Sequence, residues 1–108
     1  MIKILSILTL LPMDLPAKNT YTNGQKIYEL KDEILTYFFK NGTLKAQGPF
    51  INNKMEGKWI FYRENGQLWG IGHFIKEQKH GTWIRYNKKN VLEYEETFEN
   101  GKQIKKKK

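Results

Sequence analysis

A chain of 108 residues with 14% aromatics, no cysteine and a net charge of +8 has room for one domain, whose burial rests heavily on large rings of roughly 150–250 Å² each. Without cysteine it has no disulfide, thiol nucleophile, thiolate metal site or lipid-modified N-terminal cysteine. The basic balance points to nucleic acid or an anionic surface, yet Lys102, Lys105, Lys106, Lys107 and Lys108 crowd the last seven residues with no acid among them, leaving only +3 for the rest.

In chain order, "MIKILSILTLLPMDLPAKNT" offers Lys3, an apolar run from Ile4 to Leu11, then Pro12, Pro16 and Ala17. This meets the minimum for a secretory signal: a cationic start, an apolar stretch of about 7–15 residues and a small residue at the cut. Leu15 and Asp14 fit a cleavage site poorly, and the competing reading is a short buried strand or helix. Residues 1–19 are therefore expected to be a signal peptide or N-terminal extension, with export favoured over a cytoplasmic location and Lys18 as the first mature residue. A spanning helix is excluded on length, since about 20 apolar residues are needed.

From residue 20 the chain repeats with a period of 24. "GPFINNKMEGKWIFYRENGQLWGI" from Gly48 aligns with "GHFIKEQKHGTWIRYNKKNVLEYE" from Gly72, pairing Gly57 with Gly81, Trp59 with Trp83 and Tyr62 with Tyr86. Phe50, Phe74 and Phe98 form one column; Leu44, Leu68 and Leu92 form another. Asn41-Gly42 falls one period before Asn65-Gly66, and "TFENGKQIKKKK" begins a further unit that stops at Lys105. The runs "KWIFYRE" and "TWIRYN" are β-branched and aromatic, and Asn-Gly suits a type I′ hairpin turn, which needs positive φ twice. Asn90, in the place of Gly66, tolerates left-handed backbone. "INNKMEG", "IKEQKHG" and "ENGKQI" read as longer connections between hairpins, with Gly57 and Gly81 where φ is positive or a Cβ has no room.

The prediction is an all-β fold: an elongated single-layer antiparallel meander of consecutive hairpins over residues 20–104, followed by a disordered basic tail, 105–108. Strand alternation puts Trp59 and Phe61 on one face and Ile60 and Tyr62 on the other; Gly70, Gly72 and Phe74 share a side. Glycine within a strand marks close approach by something bulky, here expected to be a ring from a neighbouring unit. Such units bury little alone and gain stability by stacking.

The text "FINNKMEGKWIFYRENGQL", then "FIKEQKHGTWIRYNKKNVL", preceded by "YFFKNGTL" and followed by "FENGK", resembles the MORN-repeat-variant family, whose units run close to "YxNGKxEGxWxxYYxNGxL". The resemblance covers residues 37–102. It implies an antiparallel sheet of hairpins with no catalytic role, an antitoxin-like label carried by many bacterial members, and the protein and membrane-lipid contacts associated with MORN repeats. Lys89-Asn90 and Lys105 depart from the pattern and place the last turn and last unit in question.

Candidate contact residues follow. Trp59, Phe61, Trp83 and Arg85 lie in columns that serve either as sheet packing or as an exposed platform for a partner; base–aromatic stacking is worth about 1–3 kcal/mol each. Trp69 stands where the neighbouring repeats have Lys45 and Glu93, so it is expected to face solvent and to contact a partner. Lys102, Lys105, Lys106, Lys107 and Lys108 form a candidate anionic-membrane site, at about 1 kcal/mol per lysine reaching the surface. His73 and His80 do not recur between repeats and lack the neighbours a metal or nucleophile site requires. Glu93, Glu95, Glu96 and Glu99 read as a solvated edge that discourages aggregation. The functional expectation is a non-enzymatic protein-binding module without cofactor or metal, neutralising or scaffolding its partner. The alternative is peripheral membrane binding, and nucleic-acid binding ranks lowest.

Overall fold

Two kinds of turn set the architecture. The computed structural model describes Leu15 and residues 18–107. Its strands are β1 (Tyr28–Lys31), β2 (Ile34–Phe38), β3 (Leu44–Ile51), β4 (Lys54–Met55), β5 (Gly57–Tyr62), β6 (Leu68–Ile75), β7 (Gln78–Lys79), β8 (Gly81–Tyr86), β9 (Leu92–Glu99) and β10 (Lys102–Lys107). They form one antiparallel sheet in the order β1-β2-β3-β5-β6-β8-β9-β10, with β4 beside β3 and β7 beside β6. The sheet is a single layer, open at β1 and β10, as the repeat predicts.

The turn chemistry differs from the sequence expectation. Consecutive positive φ values, the requirement of a type I′ turn, occur at Asp32-Glu33, Asn52-Asn53, Lys76-Glu77 and Asn100-Gly101. Three of these tight turns fall in segments read as longer connections. At Asn41-Gly42 and Asn65-Gly66 only the glycine is left-handed, at φ 92° and 94°. There the glycine N–H reaches the carbonyl three residues back, Gly42 to Phe39 and Gly66 to Arg63, and Phe39 to Thr43 and Arg63 to Gln67 close the loop. This is a type I turn plus one left-handed residue, the three-residue hairpin loop. The Asn side chain explains the choice: Asn41 Oδ1 accepts from Thr43 N at 2.9 Å and Asn65 Oδ1 from Gln67 N at 3.0 Å, a local bond that holds the loop. At the departing turn Asn90 is left-handed at φ 64°, and Asn87 Oδ1 accepts from Lys89 N and Val91 N instead. The turn survives the substitution.

A fourth turn of this kind escaped the repeat reading. Gly24 N bonds Tyr21 O, Tyr21 N bonds Gln25 O, and Asn23 Oδ1 accepts from Gln25 N. The loops are tied in sequence across the sheet end: Asn23 Nδ2 to Lys40 O, Thr43 Oγ1 to Glu64 O, Gln67 Nε2 to Lys88 O. At the other end, Gly57 and Gly81 adopt φ 65° and 71°, and the hairpin tips bend out of register there.

The core lies on one face. Leu35, Tyr37, Ala46, Phe50, Met55, Trp59, Phe61, Phe74, Trp83 and Phe98 are all buried, and Trp59 is fully so. Phe74 meets Trp59 and Trp83 edge-on, with centroids 6.3 and 5.1 Å apart; such pairs add about 0.5–1.5 kcal/mol beyond their burial. The glycine expectation holds: a Cβ on Gly48 would enter the Trp59 ring, and one on Gly72 the Trp83 ring. Each indole is also fixed by hydrogen bonding. Trp59 Nε1 donates to Pro49 O at 2.9 Å and Trp83 Nε1 to His73 O at 3.0 Å, carbonyls that also accept from Glu56 N and His80 N. Two repeats reproduce one geometry.

Candidate interaction surfaces

With the rings committed to the core, three surfaces remain. Trp59, Phe61 and Trp83 expose 0%, 2% and 4% of their surface, which removes them as a platform for a partner. The reason is the glycine column, which lets each indole lie flat on the preceding strand. Trp69 differs from expectation too. It is partly buried and packs against the core.

The cause is a bulge. Phe61 opposes Gly70 while Tyr62 opposes Leu68, so Trp69 is the extra residue, and Lys45 and Glu93 hold the same place in the flanking hairpins. Bulges re-aim side chains. Arg63 covers the Trp69 ring at 5.9 Å, and Lys45 covers Phe39 at 5.6 Å. Because Phe39 and Arg63 are equivalent, as are Lys45 and Trp69, cation and ring have exchanged positions between units. Arg63 Nη2 further donates to Tyr86 O at 2.9 Å, joining this unit to the next. Burial holds the Lys45 amine below the ordinary lysine range.

The face opposite the core carries a continuous cross-strand row: Glu29, Thr36, Gln47, Ile60, Ile71, Ile84, Glu95 and Lys107, each in register with the next. The three isoleucines are half-buried by their neighbours. Since all ten strands belong to one sheet, the described strands provide no second layer above them. A shallow groove bounded by Glu29, Lys31, Asp32, Ile34, Thr36 and Gln47 opens at the β1 end of this face.

The third surface is the C-terminal end, where the core changes character. Lys79 replaces Met55, Arg85 replaces Phe61 and Glu96 replaces Gly72 at equivalent positions. Lys79 Nζ lies 4.6 Å from the centroids of both Trp83 and Phe98. Its amine is lowered mainly by burial, with Arg85 adding to the effect and Glu96 opposing it. Arg85 and Lys106 each lie 4.4 Å from the Tyr94 ring centroid. Arg85 is thus half-buried against a ring.

The lysine-rich end is a strand, contrary to the expectation of a disordered tail. β10 pairs with β9 in a register that sets Lys102 opposite Glu99, Lys106 opposite Glu96 and Lys107 opposite Glu95. Opposite charges facing across strands favour pairing, a signal visible in the sequence. The glutamates accordingly lie on the penultimate strand and not at an edge. Lys108 lies outside the described residues, as does the proposed signal except for Leu15, Lys18 and Asn19; Leu15 packs partly buried against the core.

His73 is exposed, with Nδ1 3.4 Å from Thr82 O, and His80 is half-buried. Among the described residues no group of three His, Cys, Asp or Glu side chains is placed to hold a metal ion.

An open, single-layer sheet of stacked hairpins, with one packed face and one that the other described strands leave uncovered, defines a β-hairpin repeat module. The family model described as MORN repeat variant matches residues 34–52, 55–76 and 79–100, more than half of the chain, and the chain belongs to that family. Repeats of this family are commonly protein- or membrane-interaction modules. No curated protein and no solved structure matches the chain.

Proposed function

We propose that the chain is a non-catalytic protein-interaction module that engages its partner through the face opposite the core, along Ile60, Ile71 and Ile84. The observation that carries this reading is the register: three β-branched side chains meet across β5, β6 and β8 and are flanked in the same row by Gln47 and Glu95. An apolar centre with a polar rim is the usual plan of a contact surface. Trp69 and Arg85 border the packed face and serve as secondary contacts, while Trp59, Phe61 and Trp83 act indirectly by holding the sheet rigid. Neutralising or scaffolding the bound protein is the role that suits a surface without chemistry of its own.

A photo-crosslinking residue at position 71 tests this in cells of the source organism. A discrete protein adduct at 71, lost when Ile60 and Ile84 are both changed to lysine in a protein that still folds, is the expected result. Adducts at 71 that match those at the exposed turn residue Glu64 would dispose of the reading. Peripheral membrane binding is the second reading, favoured by the exposure of every residue of β10. Sedimentation with phosphatidylserine vesicles, comparing wild type with lysine-to-glutamine changes in β10, separates the two.

A further inference from the structure

The outer edge of β10 has a chemistry of its own. The strand ends the sheet, all six of its residues are exposed, and it carries Lys102, Lys105, Lys106 and Lys107 with no acid. Among the described residues its pairing is to β9 alone. The opposite edge is different: β1 mixes Glu29 with Lys31, and the Tyr28 N–H is already bonded to Asn19 Oδ1. From these facts we propose that the outer edge of β10 is a docking site for an acidic β-strand of a partner protein.

Three observations combine. First, the chain already uses this pairing rule, since Glu99, Glu96 and Glu95 of β9 face Lys102, Lys106 and Lys107 of β10 on the two sides of a register shift at Ile104. A further acidic strand would repeat the arrangement on the other side, with main-chain hydrogen bonds supplying adhesion and side chains supplying selectivity. Second, the layer beneath is converted in concert. Lys79, Arg85 and Glu96 stand where the preceding unit has Met55, Phe61 and Gly72, and Arg85 and Lys106 each lie 4.4 Å from the Tyr94 ring centroid. Third, Ile104, 59% exposed, offers an apolar contact within the basic strand.

Lysine on an edge strand is also a device against self-association. The two roles agree: a row of like charges repels a second copy of β10 and accepts a strand of opposite sign, which is selectivity by repulsion as well as attraction. The inference rests on the protein-interaction reading but uses a surface separate from the isoleucine row, so each can fail without the other.

The test uses a capped peptide alternating glutamate with threonine and valine, and a control in which the central valine is proline, of the same charge but unable to complete a strand. The alternating peptide is expected to bind at least about tenfold more tightly than the control and to slow amide exchange within Lys102–Lys107. Lys106→Gln should weaken binding, and changing all four lysines to glutamine should abolish it, with indole fluorescence confirming the fold. Should the quadruple variant unfold, the single variant and the proline control still decide. Equal affinity for the two peptides would overturn the proposal by reducing it to charge attraction. Protection that appears at β1 or on the isoleucine row would overturn it as well. So would protection of β10 by phosphatidylserine vesicles and not by peptide, which makes this end a membrane contact.

Discussion

The interior units and the C-terminal end of the sheet are built on one template and finished in opposite ways. At Gly48 and Gly72 the strand gives up its side chain and a tryptophan fills the space; at Glu96 the glycine is replaced, and Lys106 stands across from it. Met55 is buried while its equivalent, Lys79, is only partly so, its amine held against two rings. The difference shows that one template accepts two finishes. Where an indole lies on the strand, glycine appears with it. In the last described pair, β9 and β10, glutamate and lysine face each other instead, and the layer is polar.

The sharpest way to break this contrast is within the tryptophan column. Trp59→Ala should cost about 3–5 kcal/mol in urea unfolding, while Lys106→Ala, across from Glu96 at the end of the sheet, should stay within about 0.5 kcal/mol. Comparable losses would show that the end is as integral as the middle. Gly72→Ala comes next, at about 1–3 kcal/mol or more through overpacking against the Trp83 ring, with Glu96→Ala near neutral by the same measurement.

A smaller effect should come from Lys76, left-handed at φ 48° in a tight turn. Replacing it with asparagine is expected to raise stability by up to about 1 kcal/mol, because left-handed backbone costs an ordinary residue roughly 1–2 kcal/mol. The equivalent Asn52→Lys should lower stability by a similar amount.

The smallest effect is in alkaline pH. Burial, then Tyr28 and Glu77, push the Tyr37 phenol from 10.0 to about 12. Between those values the folded state retains a proton that the unfolded state releases, so stability falls as pH rises through the window. Lys45 and Lys79, held below 10.5 mainly by burial, act in the opposite sense. There the unfolded chain binds more protons, and stability climbs as pH rises toward 10.5. Urea midpoints across this range should show the fall reduced in Tyr37→Phe; an unchanged curve would remove Tyr37 as its source.

Much of the architecture was legible because period and alternation are local properties. Trp59 with Gly48, and Trp83 with Gly72, could be matched from spacing and from the lack of a Cβ. The turn types could not: Asn65-Gly66 suits both a two-residue and a three-residue loop, and only the φ values and the loop's own backbone hydrogen bonds distinguish them. The turn at Asn23-Gly24 lies 18 residues before Asn41-Gly42, because the first hairpin lacks the bent tip that Gly57 and Gly81 create, and a fixed period of 24 passes over it. The charged equivalents, Lys45 and Glu93, point to solvent for Trp69. Its ring instead lies under Arg63, as Phe39 lies under Lys45, an exchange that becomes visible only when the columns are considered in pairs. The isoleucine row depends on register across seven strand pairs, which no single segment reveals.

The hydrogen bonds from the two buried indoles to backbone carbonyls have a practical consequence. Trp59 and Trp83 sit one per unit, each buried and each donating to a carbonyl, so each is a native optical probe of its own unit. With Trp69 changed to phenylalanine and one of the pair likewise, the emission of the remaining indole would follow the melting of a single repeat, revealing whether the array comes apart all at once or frays inward from the lysine strand.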